Sequence, residues 1–550
     1  MSTNSSVLVT SLVGDKEGGG ATSGRDLEAL ISAVNPITES LGNAKTSRNN
    51  NSSRFGKFVE LRYCAEGYIT NAHIQTYLLE TVRVTSQVPG ERNYHLFYEL
   101  FAGLTEDVKQ NWQFESLEDF AYLNSSGEYH RHDGESDAEN FSKLMDALTT
   151  IHMSAARLEQ LIQVAVAILH VGNITFASTE RVGEDAAIFS PHSARNVSMA
   201  CTLLGISEDS LLAATSTRAI KVAGNVICKN LNVEGASMAR DVLCRTIYDL
   251  LFRSALNDVN RALSFGEDES DAASFIGVLD IFGFEYFEKN SFEQLCINYA
   301  NEKLQDHFNF AIFKSEREVY EEEGIKWTFR DYPDNAERLE LFEHKRTGIF
   351  LLCDEQLKIP KPSDDKLAKS LYTRCVGYNH FESSQAEQIR GEFVVHHFAC
   401  SVRYSISGFV EKNRNEVAAE IFQCFDSSSR EFVQGLTYVS DDPRAPKKPL
   451  IDVDVTTVTR TRGDSGATIK SASHHHGLPA GKKTTSVTTQ FSRQLQDLVG
   501  KIRSTRSHFI RCIKPNNELQ ANNFDDAMVM KQLRCGGALG AVQVSGAVTA

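Results

Sequence analysis

The sequence predicts an α/β fold, and three observations carry that prediction. Two short apolar runs, Phe58–Tyr63 (FVELRY) and Phe275–Ile281 (FIGVLDI), read as buried strands. The stretch 291–322 repeats Cys296, Ala300, Leu304, Phe308 and Ile312 every four residues, with Leu295 and Tyr299 alongside. Glu302, Lys303, Asp306, Lys314, Glu316 and Arg317 take other positions, so the stretch reads as one helix of about 45 Å at 1.5 Å per residue. Third, the second apolar run ends in Asp280, with Gly283 just behind it. An aspartate closing a buried strand of an α/β sheet is a common holder of Mg²⁺ where phosphate is handled.

Along the chain, residues 1–25 form a loose polar lead-in. Leu27, Leu30, Ile31 and Val34 then make a helical stripe over 26–34. Residues 26–440 are globular in composition. Within them, 161–178 (LIQVAVAILHVGNITFAS) carries no formal charge but includes Gln163, His170 and Asn173, with Gly172 breaking the run. A buried helix followed by a strand fits it better than a membrane span. Residues 441–490 read as a flexible surface loop. Over 441–485 there are eight Lys/Arg, including Lys482 and Lys483, against five Asp, a net +3. A globular segment resumes over 491–540, and 541–550 reads as a cut end.

Composition narrows the class of partner. The chain has 550 residues, 57 Lys+Arg and 72 Asp+Glu, a formal charge of −15. At about 150 residues per domain this suggests three or four domains, or one large multi-lobed unit. The acidic balance argues against nucleic acid, so an anionic partner needs a locally basic surface such as the +3 loop. The 11 cysteines are scattered with no CxxC or CxxH, which fits reduced thiols rather than a disulfide framework or a zinc site. The N-terminus has no basic residue ahead of its short apolar stretch, so no signal peptide is expected. His474, His475 and His476 are adjacent in the loop, where three neighbours converge poorly on one metal.

Two clusters carry chemistry. The first is NNNSSRFGKF, Asn49 to Phe58, where hydroxyls can ligate Mg²⁺, amides can meet phosphate and Arg54 can pair with a carboxylate. The same residues also suit a polar turn. The second is LDIFGFE, Leu279 to Glu285, where Gly283 would let a backbone N–H approach a terminal phosphate. A strand followed by an ordinary turn reads equally well from these residues alone.

Together the clusters resemble the switch I (NxNSSRFGK) and switch II (DIxGFE) sequences of the myosin motor domain. NPITESLGNAKT (Asn35–Thr46), TYLLETVRVTSQVPGERNYHLFYEL (Thr76–Leu100), ILHVGNITF (Ile168–Phe176), NSFEQLCINYANEKLQ (Asn290–Gln305), HHFACSVRYSISGFVEKNR (His396–Arg414), HFIRCIKPN (His508–Asn516) and QLRCGG (Gln532–Gly537) are similar to that family in the family's order. The resemblance covers about residues 26–540. A kinesin shares the Asn-x-x-Ser-Ser-Arg element, but Phe55-Gly56-Lys57 and Phe284-Glu285 point away from it.

The resemblance implies a P-loop NTPase-type motor fold: a central, mostly parallel or mixed twisted sheet flanked by helices, with upper and lower actin-binding lobes. It implies ATP and Mg²⁺ as cofactors. Ser53 would ligate Mg²⁺, with Asp280 supporting it through water. Asn49 and Asn51 would lie on the nucleotide side, Ser52 beside the attacking water, and the Gly283 N–H on the γ-phosphate. Arg54 and Glu285 would form the ion pair that closes the switches, and the 291–322 helix would be the relay helix. The implied partner is the actin filament, met by Lys412, Asn413 and Arg414 and by the basic loop with Lys482 and Lys483. The implied location is the cytoplasmic actin cytoskeleton. Light chains and cargo would bind parts of the family's chain outside this one, and class, direction, speed and oligomeric state are not readable.

Departures from the family's pattern set further expectations. The family's GESGAGKT loop has as its nearest counterpart Gly19–Asp26 (GGATSGRD), which puts Arg25 and Asp26 where Lys and Ser/Thr belong. It reads as a linker decoy, and tight ATP binding by this chain alone is not expected. The small N-terminal barrel and the converter are expected to be absent, as in a head truncated at both ends. Ser507 stands where proline is usual, and Asn225 where the family has an acidic or phosphorylatable residue. The alternative reading is a non-catalytic actin-binding remnant or a truncated gene product.

Overall fold

The computed structural model describes residues 23–181, 184–222, 225–264, 274–311, 321–324, 335–359, 361–414, 418–439, 486–518 and 520–537. Residues 1–22 of the expected lead-in, 441–485 with Lys482 and Lys483, and 541–550 lie outside these residues, while Ser23–Arg25 of the lead-in open a helix. Contacts group the chain into two units, Met1–Ile281 with Val417–Lys482, and Phe282–Glu416 with Lys483–Ala550. The division at 281/282 falls inside the stretch expected as one core, between Asp280 and Gly283.

The first unit is built on a three-stranded sheet. The strands of this unit are β1 (Asn43–Ala44), β2 (Ser52–Ser53), β3 (Gly56–Tyr63), β4 (Ile69–Tyr77), β5 (Phe176–Arg181), β6 (Glu184–Phe189), β7 (Thr217–Val222), β8 (Asn225–Asn230) and β9 (Ser274–Asp280). The sheet order is β4-β3-β9, while β1–β2, β5–β6 and β7–β8 are separate two-stranded pairs. β3 is buried from Gly56 to Leu61, as its apolar run predicts. Every strand pairing among the described residues is antiparallel. The mostly parallel part of the expected central sheet is not among them. The reason is connectivity: a short turn can only return a strand antiparallel, and β9 also enters the sheet against β3.

Helices pack this sheet. Ala155–Gly172 is buried at every position from Leu161 to Gly172. A helix apolar on all sides belongs inside a core, which explains the uncharged run without a membrane. Ser154 starts it, its hydroxyl accepting the Arg157 N–H at 3.3 Å. The 31-residue helix Val233–Leu263 runs past it, with Ile247, Tyr248, Leu251 and Val259 at 0% exposure. Asn260 ties that helix to β4, accepting the Ile74 N–H at 2.8 Å and donating to the Ile74 carbonyl at 2.9 Å. The helix predicted over 26–34 extends over Ser23–Gly42 and runs through Pro36. Burial of Ile37 and Leu41 on the same face outweighs the proline, which costs about 3 kcal/mol in a helix interior. Its end is set by Gly42, where a Cβ would fall 2.2 Å from the Phe55 ring.

The second unit centres on the helix Phe292–Asn309. The Gln294 side chain returns to the Ser291 N–H at 3.0 Å and opens it. The predicted rod of 291–322 is described as a helix to Asn309, about 27 Å at 1.5 Å per residue; residues 312–320 lie outside the described residues. Around it lie the sheet β10 (Phe381–Glu382), β11 (Glu392–His396) and β12 (Ser401–Ser405), and the helices Ala336–Glu343, Ile349–Gln356 and Val487–Arg503. Tyr299 meets the rings of Phe342, Phe350 and Phe491 at 5.3, 4.7 and 6.1 Å. None of the 11 cysteines, all among the described residues, is joined in a disulfide, in line with the sequence.

Truncating Leu251 to alanine leaves a hole in the middle of the long helix's packed face. The expected loss is about 2–5 kcal/mol of unfolding free energy, read as a lower denaturant midpoint.

Candidate functional site

The Asn49–Phe58 cluster is a loop leading into β2 and β3. The Thr46 N–H donates to the Asn49 carbonyl at 2.8 Å, turning the chain back on itself. β2 pairs Ser53 with Asn43 and Ser52 with Ala44. Asn49 and Asn51 brace one another: the Asn49 amide donates to the Asn51 carbonyl, and the Asn51 N–H donates to Asn49 Oδ1, both at 3.1 Å. Asn51 is the hub. Its Nδ2 donates to Glu39 at 3.0 Å, and its Oδ1 accepts from Asn43 Nδ2 at 2.9 Å.

His95 Nε2 lies 3.2 Å from the same Asn51 Oδ1. That oxygen can only accept, so Nε2 carries the proton. Burial, with Arg92, Arg131 and Arg83 nearby, pushes the His95 pKa well below its ordinary value. The ring is therefore a neutral donor.

A ring of ion pairs holds the loop from beneath. Arg54 Nε meets Glu80 Oε2 at 2.5 Å, and Arg83 Nε meets the same oxygen at 2.8 Å. Arg83 Nη1 reaches Glu91 at 2.9 Å, and Glu91 Oε1 accepts the Ser47 N–H at 3.1 Å. Both ends of residues 47–54 are thereby tied to one buried charge network. Burial opposes the charge on Glu80, but Arg54 and Arg83 outweigh it and hold the carboxyl at about 2. Arg54 also donates to the Ser52 hydroxyl at 3.1 Å, so one guanidinium supports both a carboxylate and a hydroxyl of β2.

Register brings the start of the second cluster, Leu279 and Asp280, against Phe58 and Lys57 of the first. β3 pairs with β9 beginning at Lys57 opposite Asp280. The aspartate at the end of β9 therefore lies opposite Lys57 at the start of β3, four residues along the chain from Ser53 on β2. Lys57 is buried, and its Nζ donates to Asn35 Oδ1 at 3.3 Å. Burial lowers the Lys57 pKa, while the charges of Asp280 and Glu39 oppose that shift. Gly56 backs onto Ile281, 3.2 Å from where a Cβ would stand.

Gly283 and Glu285 belong to the second unit. A Cβ on Gly283 would meet nothing within 4 Å, so open space lies beside this backbone. Glu285 is buried; its Oε2 accepts from Gln294 at 3.1 Å, and its N–H donates to Asn298 Oδ1 at 2.9 Å. Asn301 donates to the Phe282 carbonyl at 3.2 Å. The backbone between Phe282 and Glu285 is thus held by two asparagines of the Phe292–Asn309 helix.

Among the residues expected on the filament-facing surface, Asn413 needs correction. It is fully buried, donating to Asp354 at 3.0 Å and accepting the Thr488 N–H at 3.0 Å. A side chain at 0% exposure cannot touch a partner, and its work is to join Asp354 to the Val487–Arg503 helix. Lys412 turns inward to Ser291 and Glu293, both at 2.8 Å. Arg414 is partly exposed, 4.0 Å from Glu411.

Glu80, Asn298 and His95 were missed in the sequence. Each acts on a residue 13 to 44 positions away, so no local spacing announces it. A charged residue in the otherwise mixed LLETVRV segment was the one available hint.

The ligand types fit Mg²⁺ and a nucleotide. Ser53 and Asp280 are hard oxygen donors, the kind that Mg²⁺ takes one or two of while keeping water. No group of three or more His, Cys, Asp or Glu able to hold a metal occurs among the described residues. The family model for the myosin head (motor domain) matches residues 3–548, and the chain belongs to that family. It is 38% identical to Myosin-2 of Lachancea kluyveri over 521 residues, 94% of this chain and 32% of that protein. It is 38% identical to Myosin-52 of Schizosaccharomyces pombe over 524 residues, with the same coverage. It is 37% identical to Myosin-5 of Arabidopsis thaliana over 522 residues, 95% of this chain and 32% of that protein. The chain spans about a third of the length of these relatives.

Glu80 makes the fold sensitive to acid. Its folded pKa of about 2 lies below the ordinary 4.5, so its stabilisation is present above pH 4.5 and is lost as pH falls toward 2. The Glu80→Gln variant is expected to lose about 3 kcal/mol at neutral pH and to show a flatter acid limb. Denaturant midpoints measured across pH 2–7 check both.

Proposed function

We propose that this chain is the head of an actin-based motor that couples hydrolysis of Mg·ATP to filament binding. The observation that supports this most is the β3–β9 register, which sets Asp280 opposite Lys57, four residues after Ser53, in a chain of the myosin head family. In this reading Asn49 and Asn51 lie against the nucleotide phosphates, and their mutual bonds pre-set the amides. Ser52 stands beside the attacking water and relays its proton, with Arg54 fixing the hydroxyl. Ser53, and Asp280 through water, would hold Mg²⁺. When bound, that ion neutralises charge on the phosphates. Gly283 donates its N–H to the γ-phosphate, in line with the open space on its Cβ side. Arg54 and Glu285 form the closing ion pair. Catalysis is then positioning and charge stabilisation rather than covalent chemistry.

Filament binding falls in this reading to Arg414 and to the basic loop with Lys482 and Lys483. A net-positive segment on a −15 chain would steer an acidic filament in a salt-dependent way. The corresponding location is the cytoplasmic actin cytoskeleton.

The test is ATP hydrolysis by the full chain with and without actin filaments, together with co-sedimentation. With GGATSGRD as the nearest counterpart of the family's GESGAGKT loop, the expected outcome is weak ATP binding, slow Mg²⁺-dependent turnover stimulated by filaments, and release of bound filaments only at high ATP. Ser53→Ala and Asp280→Asn are expected to cut turnover by about 100-fold. Filament binding that ATP leaves unchanged, with no Mg·ATP turnover, would replace this reading with a non-catalytic filament-binding protein.

A further inference from the structure

The second unit contains a line of buried polar side chains ending on the backbone of Glu285. Asn298 grips that residue twice: Oδ1 accepts the Glu285 N–H at 2.9 Å, and Nδ2 donates to the Glu285 carbonyl at 2.7 Å. The same Nδ2 donates to the Tyr404 hydroxyl at 2.8 Å. That hydroxyl is 2.8 Å from His397 Nε2. His397 Nδ1 is 2.9 Å from Glu302 Oε1, and both of these side chains are at 0% exposure. Glu302 also accepts the Phe398 N–H at 2.9 Å on Oε1 and the Asn335 amide at 2.9 Å on Oε2.

Valence gives the line a direction. Asn298 Oδ1 accepts from an N–H, which fixes the amide orientation and spends both Nδ2 protons, one on the Glu285 carbonyl and one on Tyr404. Tyr404 oxygen therefore accepts, and its own proton is left for His397 Nε2. That nitrogen must be bare, so Nδ1 bears the proton and gives it to Glu302. Glu302, accepting three donors, is placed as an ionised carboxylate. None of these side chains has a buried atom without a partner. Burial raises the Tyr404 pKa well above its ordinary value, keeping the phenol a donor.

We propose that Asn298, Tyr404, His397 and Glu302 form a one-way hydrogen-bond chain that positions the Glu285 backbone, with ionised Glu302 as its fixed end. They are positioning residues, acting through Glu285. Asn298 and Glu302 are four apart on one helix face, so helix geometry sets the spacing between grip and anchor. His397 and Tyr404 bridge the two from just after β11 and from β12. The effect on turnover rests on the role proposed above for Glu285; the chain itself does not.

The experiment uses the full chain with ¹⁵N-imidazole histidine, the His397 resonance being identified by its loss in His397→Asn. The expected result is a neutral ring protonated at Nδ1 and bare at Nε2. In Tyr404→Phe, hydrogen exchange at the Glu285 amide is expected to quicken about tenfold, with Phe58–Leu61 unchanged. Where ATP turnover is measurable, kcat in Tyr404→Phe is expected to fall about tenfold with KM within about twofold. A ring protonated at Nε2, or Glu285 exchange at the wild-type rate in Tyr404→Phe, overturns the proposal. If Tyr404→Phe fails to fold, the wild-type tautomer decides. Absence of turnover in the wild type would count against the motor reading and leave the tautomer and exchange results to decide this one.

Discussion

The pairing of β3 with β9 is the constraint on which the first unit's site depends. β3 is bonded along both edges, to β4 and to β9. Its register with β9 opens at Lys57 opposite Asp280. A slip of one residue would turn every side chain on the strand to the other face, and Asp280 would no longer stand opposite Lys57. Because Val59, Leu61, Ile74 and Val278 are all buried, the apolar packing enforces this register. The chemistry thus inherits its geometry from the core.

The cost of burying charge is met differently in the two units. Around residues 47–54, Arg54, Glu80, Arg83 and Glu91 alternate in sign, so each buried charge has an opposite neighbour. Breaking such a set leaves an uncompensated charge, which costs more than the intact set gains. Beneath Glu285, one buried carboxylate is satisfied by three donors, and the remaining members are neutral. The first arrangement braces a loop from below; the second fixes a single peptide unit through directed hydrogen bonds. Both are networks whose members are fully engaged, the condition under which buried polar groups rigidify a fold.

Much of the fold was legible because apolar periodicity survives without context. The buried β3 run, the uncharged run that ends the Ala155–Gly172 helix and the start of the Phe292 helix all read from spacing, whereas β9 is the expected strand but not the expected buried one, with only Val278 buried and Ile276 42% exposed. The helix through Pro36 did not, because local propensity argues against it and only packing of Ile37 and Leu41 decides for it. The antiparallel character of the described sheets was also hidden, since an apolar run does not state which way its neighbour runs. The SGFVEKNR segment was read as surface, yet Asn413 is buried against Asp354 and Thr488, partners 59 and 75 residues away.

The sequence by itself determined the family, because the motifs are contiguous strings whose order along the chain is their own evidence, and it offered the residues proposed above for the site. It also determined that the cysteines are scattered, and the structure joins none of them in a disulfide. Only the tertiary structure decided which groups support those residues: Glu80 under Arg54, His95 on Asn51, and the Asn298–Tyr404–His397–Glu302 line under Glu285. The physical reason is range. A motif fixes which atoms are offered, whereas a hydrogen bond at 2.8 Å depends on strands and helices distant in sequence being folded to within that distance.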